Sequence, residues 1–220
     1  MGEGERVMTN REDDISIELI DFEETMLKNG ELEALFYMRD LQQRKLHLNE
    51  DVSQMSVADV VAQIMRFNKE DKGKPVEERQ PILLYVVSNG GEVDSGFELI
   101  DVIRASKTPV YTVNLGYQYS MGFLIGLAGH RRYATKNAKF LMHDGSQFIY
   151  NSGMKVQDQM EFQKKVEERV KRYVTEMTKI TPELYDSYQR VEWYMFADEA
   201  KELGVTDFII GEDCDLDEVV

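Results

Sequence analysis

Ile82-Leu83-Leu84-Tyr85-Val86-Val87 is an unbroken apolar run with no polar residue alternating through it. A strand with one wet face alternates, whereas an unbroken run of this length is expected of a strand covered on both faces, the habit of parallel sheets. Ser88-Asn89-Gly90-Gly91 ends it. Upstream, Arg44 to Leu48 reads as a short strand. Val57, Val60, Val61, Ile64, Met65 and Phe67 form a stripe at helical spacing, opened by Ser56 with Asp59 at capping-box distance. Downstream, Phe97, Leu99, Ile100 and Ile103 mark a helix ending near Ser106. A strand follows at Val110 to Val113, a helix from Phe123 to about Gly129 and a strand at Phe140 to Met142. Strand and helix alternating from about residue 44 to 143 predict an α/β fold with a mainly parallel sheet.

Beyond 143 the pattern is sparser. A long charged helix is expected from about Val156 to Thr178. Another begins at Thr181-Pro182-Glu183, and a last one, Ala197 to Leu203, is closed by Gly204 before the strand Phe208-Ile209-Ile210. The division is an acidic N-terminal extension over 1–43, one domain over 44–211, and an acidic tail over 212–220 that reads as solvated and mobile. Within the extension, Ile15 to Met26 hints at a strand or short amphipathic segment.

Composition narrows the class. With 220 residues, 42% hydrophobic and 30% charged, the chain is long enough for one full core. A net charge of −15 argues against a nucleic-acid partner, which needs clustered Lys and Arg, and the longest basic clusters are pairs such as Arg131-Arg132. No apolar stretch approaches the roughly 20 residues of a membrane span. The start lacks the apolar core of a secretory leader, so a cytoplasmic location is expected. The single cysteine, Cys214, excludes an internal disulfide and a zinc cluster, and the carboxylates around it oppose a thiolate.

Ser120 carries the chemistry. It sits in Gly116-Tyr117-Gln118-Tyr119-Ser120-Met121-Gly122, between a strand pattern and a helix pattern. A serine at such a turn presents its hydroxyl beside the free N–H groups of a helix's first turn, which is how a nucleophile and part of an oxyanion hole arise together. The same position is also that of an ordinary helix N-cap. Of three histidines, His143 follows a strand and faces the crevice where α/β folds bind ligands. His130 at a helix end reads as a structural cation, and His47 as a strand residue. Gly90-Gly91 after the buried strand lets backbone N–H groups approach a ligand, or makes a plain tight turn. Together these residues form a coherent acyl-transfer site.

In that order, Ser88-Asn89-Gly90-Gly91, Ser120-Met121-Gly122, Met142-His143 and Ala197 to Gly204 with Asp207 resemble the Clp protease proteolytic subunit family (ClpP), in a divergent, phage-type form over about residues 44–211. The resemblance implies a ClpP/crotonase-type fold in which the helix after His143 is a protruding handle. It implies Ser120 as nucleophile, His143 as base, and the N–H groups of Gly91 and Met121 as oxyanion donors. It also implies a homo-oligomeric assembly, a tetradecamer of stacked rings enclosing the sites, fed protein substrates by an ATP-dependent unfoldase. No metal or organic cofactor is implied.

Three departures stand out. Asn89 replaces a proline, and Gln118 and Tyr119 replace small residues before the serine. The family's aspartate position falls on Tyr188, with Asp186 about 200° round a helix from it. Glu192 is the preferred orienting acid and Asp186 the second. Alternative readings are a non-catalytic structural subunit of the same kind, a phage head-maturation protease, and a crotonase-type acyl-CoA enzyme.

Overall fold

The structure is a computed structural model and describes residue 30 and residues 32–145, 152–188 and 190–220. The Ile15 to Met26 reading lies outside the described residues. Residues 1–43 form one unit and residues 44–220 a second. The first contains helix α1 (Leu32–Gln42), which the sequence reading passed over. Its Leu, Ala, Met, Arg and Gln are strong helix formers, hidden there by an acidic neighbourhood.

In the second unit, β1 (Lys45–Leu48), α2 (Gln54–Glu70), β2 (Ile82–Val86), α3 (Val93–Ala105), β3 (Val110–Asn114) and β4 (Tyr117–Tyr119) follow in order. Then come α4 (Met121–Leu127), β5 (Arg131–Thr135), β6 (Lys139–Met142), α5 (Gly153–Met177), α6 (Pro182–Tyr188), β7 (Trp193–Phe196), α7 (Ala197–Glu202) and β8 (Phe208–Ile210). Among the described residues the main sheet has five strands in the order β1-β2-β3-β5-β8, and every neighbouring pair is parallel. A second sheet, β4-β6-β7, pairs β4 with β6 in parallel and β6 with β7 in antiparallel fashion. The expected α/β fold with a mainly parallel sheet is what is found.

The apolar run of β2 is covered on both faces, as its composition requires. Successive strand side chains point to opposite faces, so Ile82, Leu84 and Val86, all fully buried, share one face. Helices α2, α3 and α4 pack together on the sheet. On the other face Tyr85 joins Val113, Tyr133 and Val219 in a separate apolar cluster. Val219 belongs to a short 3₁₀ turn, Leu216–Val219, and its carbonyl accepts from the Tyr85 hydroxyl. The acidic tail is therefore not solvated to its end: a valine and a phenol give it an apolar seat that its charge conceals in the sequence.

Helix α2 starts at Gln54, with Ser53 as the N-cap. Ser56 sits three residues on and reciprocates: its N–H donates to Ser53 Oγ (3.1 Å) while its own Oγ accepts from Ser53 N–H (2.9 Å). The expectation that Ser56 opens the helix is corrected by one turn. His130 is also corrected. Its Nδ1 lies 3.1 Å from the Val110 nitrogen and 3.3 Å from the Val110 carbonyl, and burial lowers its pKa, which disfavours the helix-end cation. His47 is exposed and stacks on Tyr85, with ring centroids 4.9 Å apart. The Cys214 thiol is pushed up first by burial and then by Glu218, Asp213 and Asp215. Among the described residues, no helix is long and apolar enough to cross a membrane.

Candidate active site

The two sheets meet where β2 ends. Ser88 donates its N–H to Tyr117 O (3.1 Å) and accepts from Tyr119 N–H (2.9 Å), so the end of β2 is stitched to β4. Strands β4 and β6 run parallel with Tyr119 opposite Leu141. Ser120 and His143 thus leave neighbouring strands at the same end, and the Ser120 N–H donates to Leu141 O (2.9 Å) across the gap.

Ser120 has φ 54° and ψ −118°. A non-glycine residue at positive φ is uncommon and costs free energy that the surroundings must supply. Those surroundings are tight. A Cβ added at Gly90 would lie 2.7 Å from Ser120 Cβ and 2.8 Å from Met121 N. Gly90 itself adopts φ 97°, so this approach needs glycine twice over, for conformation and for space. Ser120 occupies the N-cap position of α4, yet its side chain makes no capping hydrogen bond. The ordinary N-cap role, left open by the sequence, is not the one the hydroxyl performs.

Ser120, Met121, Gly91 and His143 line one cavity of about 310 Å³. That is at the small end of ligand-pocket sizes. Neither Gly91 nor Met121 donates its amide to another backbone group among the described residues, which leaves both N–H groups available. His143 Nε2 is buried and has no hydrogen-bond partner among the described residues. A buried polar atom without a partner is costly, and this one belongs to a residue that lines the same cavity as Ser120, with no hydrogen bond joining the two side chains.

The two acids read from the sequence are engaged elsewhere. Glu192 is exposed and accepts from the Tyr194 hydroxyl (3.0 Å). Asp186 is bound through both oxygens to Lys171 Nζ (2.6 and 2.7 Å). Neither lines the cavity. Tyr188 stacks its ring on Trp193 at 4.0 Å.

The far wall was not read from the sequence. Gln163, Val166, Glu167 and Val170 of α5 line the cavity, and their spacing of i, i+3, i+4, i+7 is one helix face. Tyr185 of α6 joins them, its hydroxyl pushed up to about 12 by burial first and then by Glu167, Asp186 and Asp144. The spacing was visible in the sequence, but two of the positions are polar, and a hydrophobic stripe search passes over them.

A family model for Clp protease matches residues 28–213. ATP-dependent Clp protease proteolytic subunit 3 of Streptomyces coelicolor is 33% identical over 177 residues, covering 77% of this chain and 76% of that protein. Subunit 1 of Streptomyces avermitilis is 33% identical over 176 residues, with 77% and 76% covered. Subunit 2 of Treponema pallidum is 34% identical over 113 residues, or 50% of this chain and 54% of that protein, so that match spans about half of either.

Proposed function

The chain belongs to the Clp protease family, and from that premise we propose that it is a serine endopeptidase with Ser120 as nucleophile and His143 as general base. One observation carries the reading. A serine hydroxyl on a strained elbow, not used for capping, lines the same cavity as a histidine whose Nε2 is buried and unpartnered among the described residues.

His143 takes the Ser120 proton as Oγ attacks the substrate carbonyl carbon. The oxyanion accepts from the Gly91 and Met121 N–H groups. The C–N bond breaks and His143 protonates the leaving amine. Water then attacks the acyl-serine, gives its proton to His143, and the acid product leaves with Ser120 restored. We assign the orienting role to Glu192 before Asp186. Glu192 is held by one neutral phenol and Asp186 by a bidentate ammonium, so Glu192 is the cheaper to release toward His143. Residues 44–211 carry this activity, in the cytoplasm, within a homo-oligomeric ring (a tetradecamer by family resemblance). As the relatives' names are ATP-dependent, an ATP-driven unfoldase would supply protein substrates. No step calls for a metal or organic cofactor.

A second reading, a non-catalytic subunit of the same family, is favoured by one observation: both candidate acids are bound to other partners. A fluorophosphonate probe with mass-spectrometric site mapping separates the two. The expected result is labelling at Ser120, lost in Ser120→Ala and reduced by orders of magnitude in His143→Ala, with the melting temperatures of the variants unchanged. A folded wild-type chain that takes no label would establish the non-catalytic reading instead.

A further inference from the structure

Resting on the peptidase reading, we infer that the cavity beside Ser120 selects polypeptides carrying a lysine or arginine side chain at the residue whose carbonyl is attacked, with Glu167 as the specificity-determining residue. The walls and the charge divide the cavity into two parts. Phe123, Leu124, Met142, Val166 and Val170 give it an apolar body. Among the described residues Asp144 and Glu167 are the charged members of the lining, both exposed toward solvent, and neither Lys nor Arg lines it. An aliphatic stem with a cationic head suits such a space, because long basic side chains bury their methylenes while keeping the charge at a wet, acidic rim.

Among the described residues no ion pair holds Glu167, and the helix supplies a structural reason. Lys171 lies four residues on, the spacing at which a helix normally pairs Glu with Lys. Its ammonium is instead held by both oxygens of Asp186 (2.6 and 2.7 Å). Asp186 therefore holds Lys171 away from Glu167 and acts as a positioning residue for the charge at the cavity. The Tyr185 phenol, also in the lining, is raised first by burial and then by Glu167, Asp186 and Asp144, in keeping with carboxylates close to this wall.

The test uses three diphenyl phosphonate probes that differ only in side chain: a lysine-like amine, a leucine-like isobutyl and a glutamate-like carboxylate. Ser120 Oγ attacks phosphorus, phenoxide leaves, and the serine proton ends on the phenol. Inactivation rates are measured on the full-length assembled protein. The amine probe is expected to react fastest and the carboxylate probe slowest. Glu167→Gln should cut the amine-to-isobutyl rate ratio by about fivefold, and Glu167→Asp should restore part of it. Asp186→Asn, which frees Lys171 to pair with Glu167, should lower the same ratio. A wild-type chain that reacts fastest with the isobutyl probe, with a ratio indifferent to Glu167, would overturn the inference and leave the peptidase reading in place. If no probe and no fluorophosphonate labels Ser120, the peptidase reading itself falls and this inference falls with it.

Discussion

Asp71 is fully buried, and its carboxylate is surrounded by donors. Arg44 reaches it twice (2.5 and 2.9 Å), Thr108 Oγ1 once (3.0 Å) and Lys74 Nζ once (3.1 Å). Arg44 is itself buried, lies over the Phe67 ring at 5.0 Å, and also donates to Gln80 O (2.9 Å). The Arg44 hydrogen bonds hold the Asp71 carboxyl well below the usual carboxylate range, against the opposing effect of burial. Removing one partner of a buried pair leaves the other uncompensated, so Asp71→Asn should cost about 3 kcal/mol at neutral pH. The sign with pH follows from the depressed value. Above the ordinary aspartate pKa of about 3.9, both folded and unfolded chains are ionised and the full stabilisation is present. As pH falls below it, the unfolded chain binds a proton that the folded chain refuses, and the stabilisation drains away. The gap in urea midpoint between wild type and Asp71→Asn should therefore narrow from about pH 7 to about pH 3; a constant gap would rule out Asp71 as its source. None of this was legible in the sequence, where Asp71 is one charge in a charged loop and its partner lies 27 positions away. His143 was easier to read, because it directly follows a strand pattern, and Ser120 because its heptapeptide lies between a strand pattern and a helix pattern. The Lys171 to Asp186 pairing and the Glu192 to Tyr194 contact depend on how α5, α6 and β7 pack, which no local pattern encodes.

At the scale of elements, the readable ones have a strong period or an unbroken apolar run. Helix α2 buries Val57, Val60, Val61, Ile64 and Phe67 as its stripe requires, while Met65, at the stripe's edge, stays exposed. Strands β4, β5 and β7 went unread for different reasons. β4 is three residues long, too short for a period. β5 opens on Arg131-Arg132, whose charge masks the buried Tyr133 and Ala134. β7 does alternate, with Trp193 and Met195 buried and Tyr194 and Phe196 outside, but all four residues are apolar and the alternation cannot be seen. Helix α4 has only seven residues, all buried, and the last four carbonyls of any helix lack partners of their own. Two of them are served from outside: Thr112 Oγ1 donates to Gly126 O (2.7 Å) and the Tyr173 hydroxyl to Leu124 O (3.0 Å). Burial raises the Tyr173 pKa, which keeps the phenol a donor across the working pH range. Tyr173→Phe leaves the Leu124 carbonyl without that donor and should cost about 1 kcal/mol, a drop of roughly 2–4 °C in melting temperature. Because Tyr173 ties the root of α5 to the helix that begins at Ser120, the same variant should also slow Ser120 labelling. Slower labelling at an unchanged melting temperature would mean that the hydroxyl acts on the site without supporting α4.

For the whole molecule the opposing quantities are charge and exposed apolar surface. The chain carries 41 acidic and 26 basic residues, a net charge of −15. Identical subunits of that charge repel one another, and the repulsion is long-ranged only at low salt: the screening length is about 10 Å at 0.1 M and about 3 Å at 1 M. Helix α5 has 25 residues but buries only Val174, and it leaves Met154, Met160 and Phe162 in solvent. Apolar side chains presented in this way on a helix are the material of an interface between copies. Burying them gains free energy that salt does not screen, while the opposing repulsion weakens as salt rises. Assembly should therefore strengthen with ionic strength, the weight-average mass in sedimentation increasing from about 50 mM to about 0.5 M NaCl. Phe162→Glu, which adds a charge and removes apolar area at one place, should abolish the increase while the dissociated subunit keeps its melting temperature. A mass that falls as salt is added would mean that ion pairs between subunits, and not this apolar face, hold the assembly together.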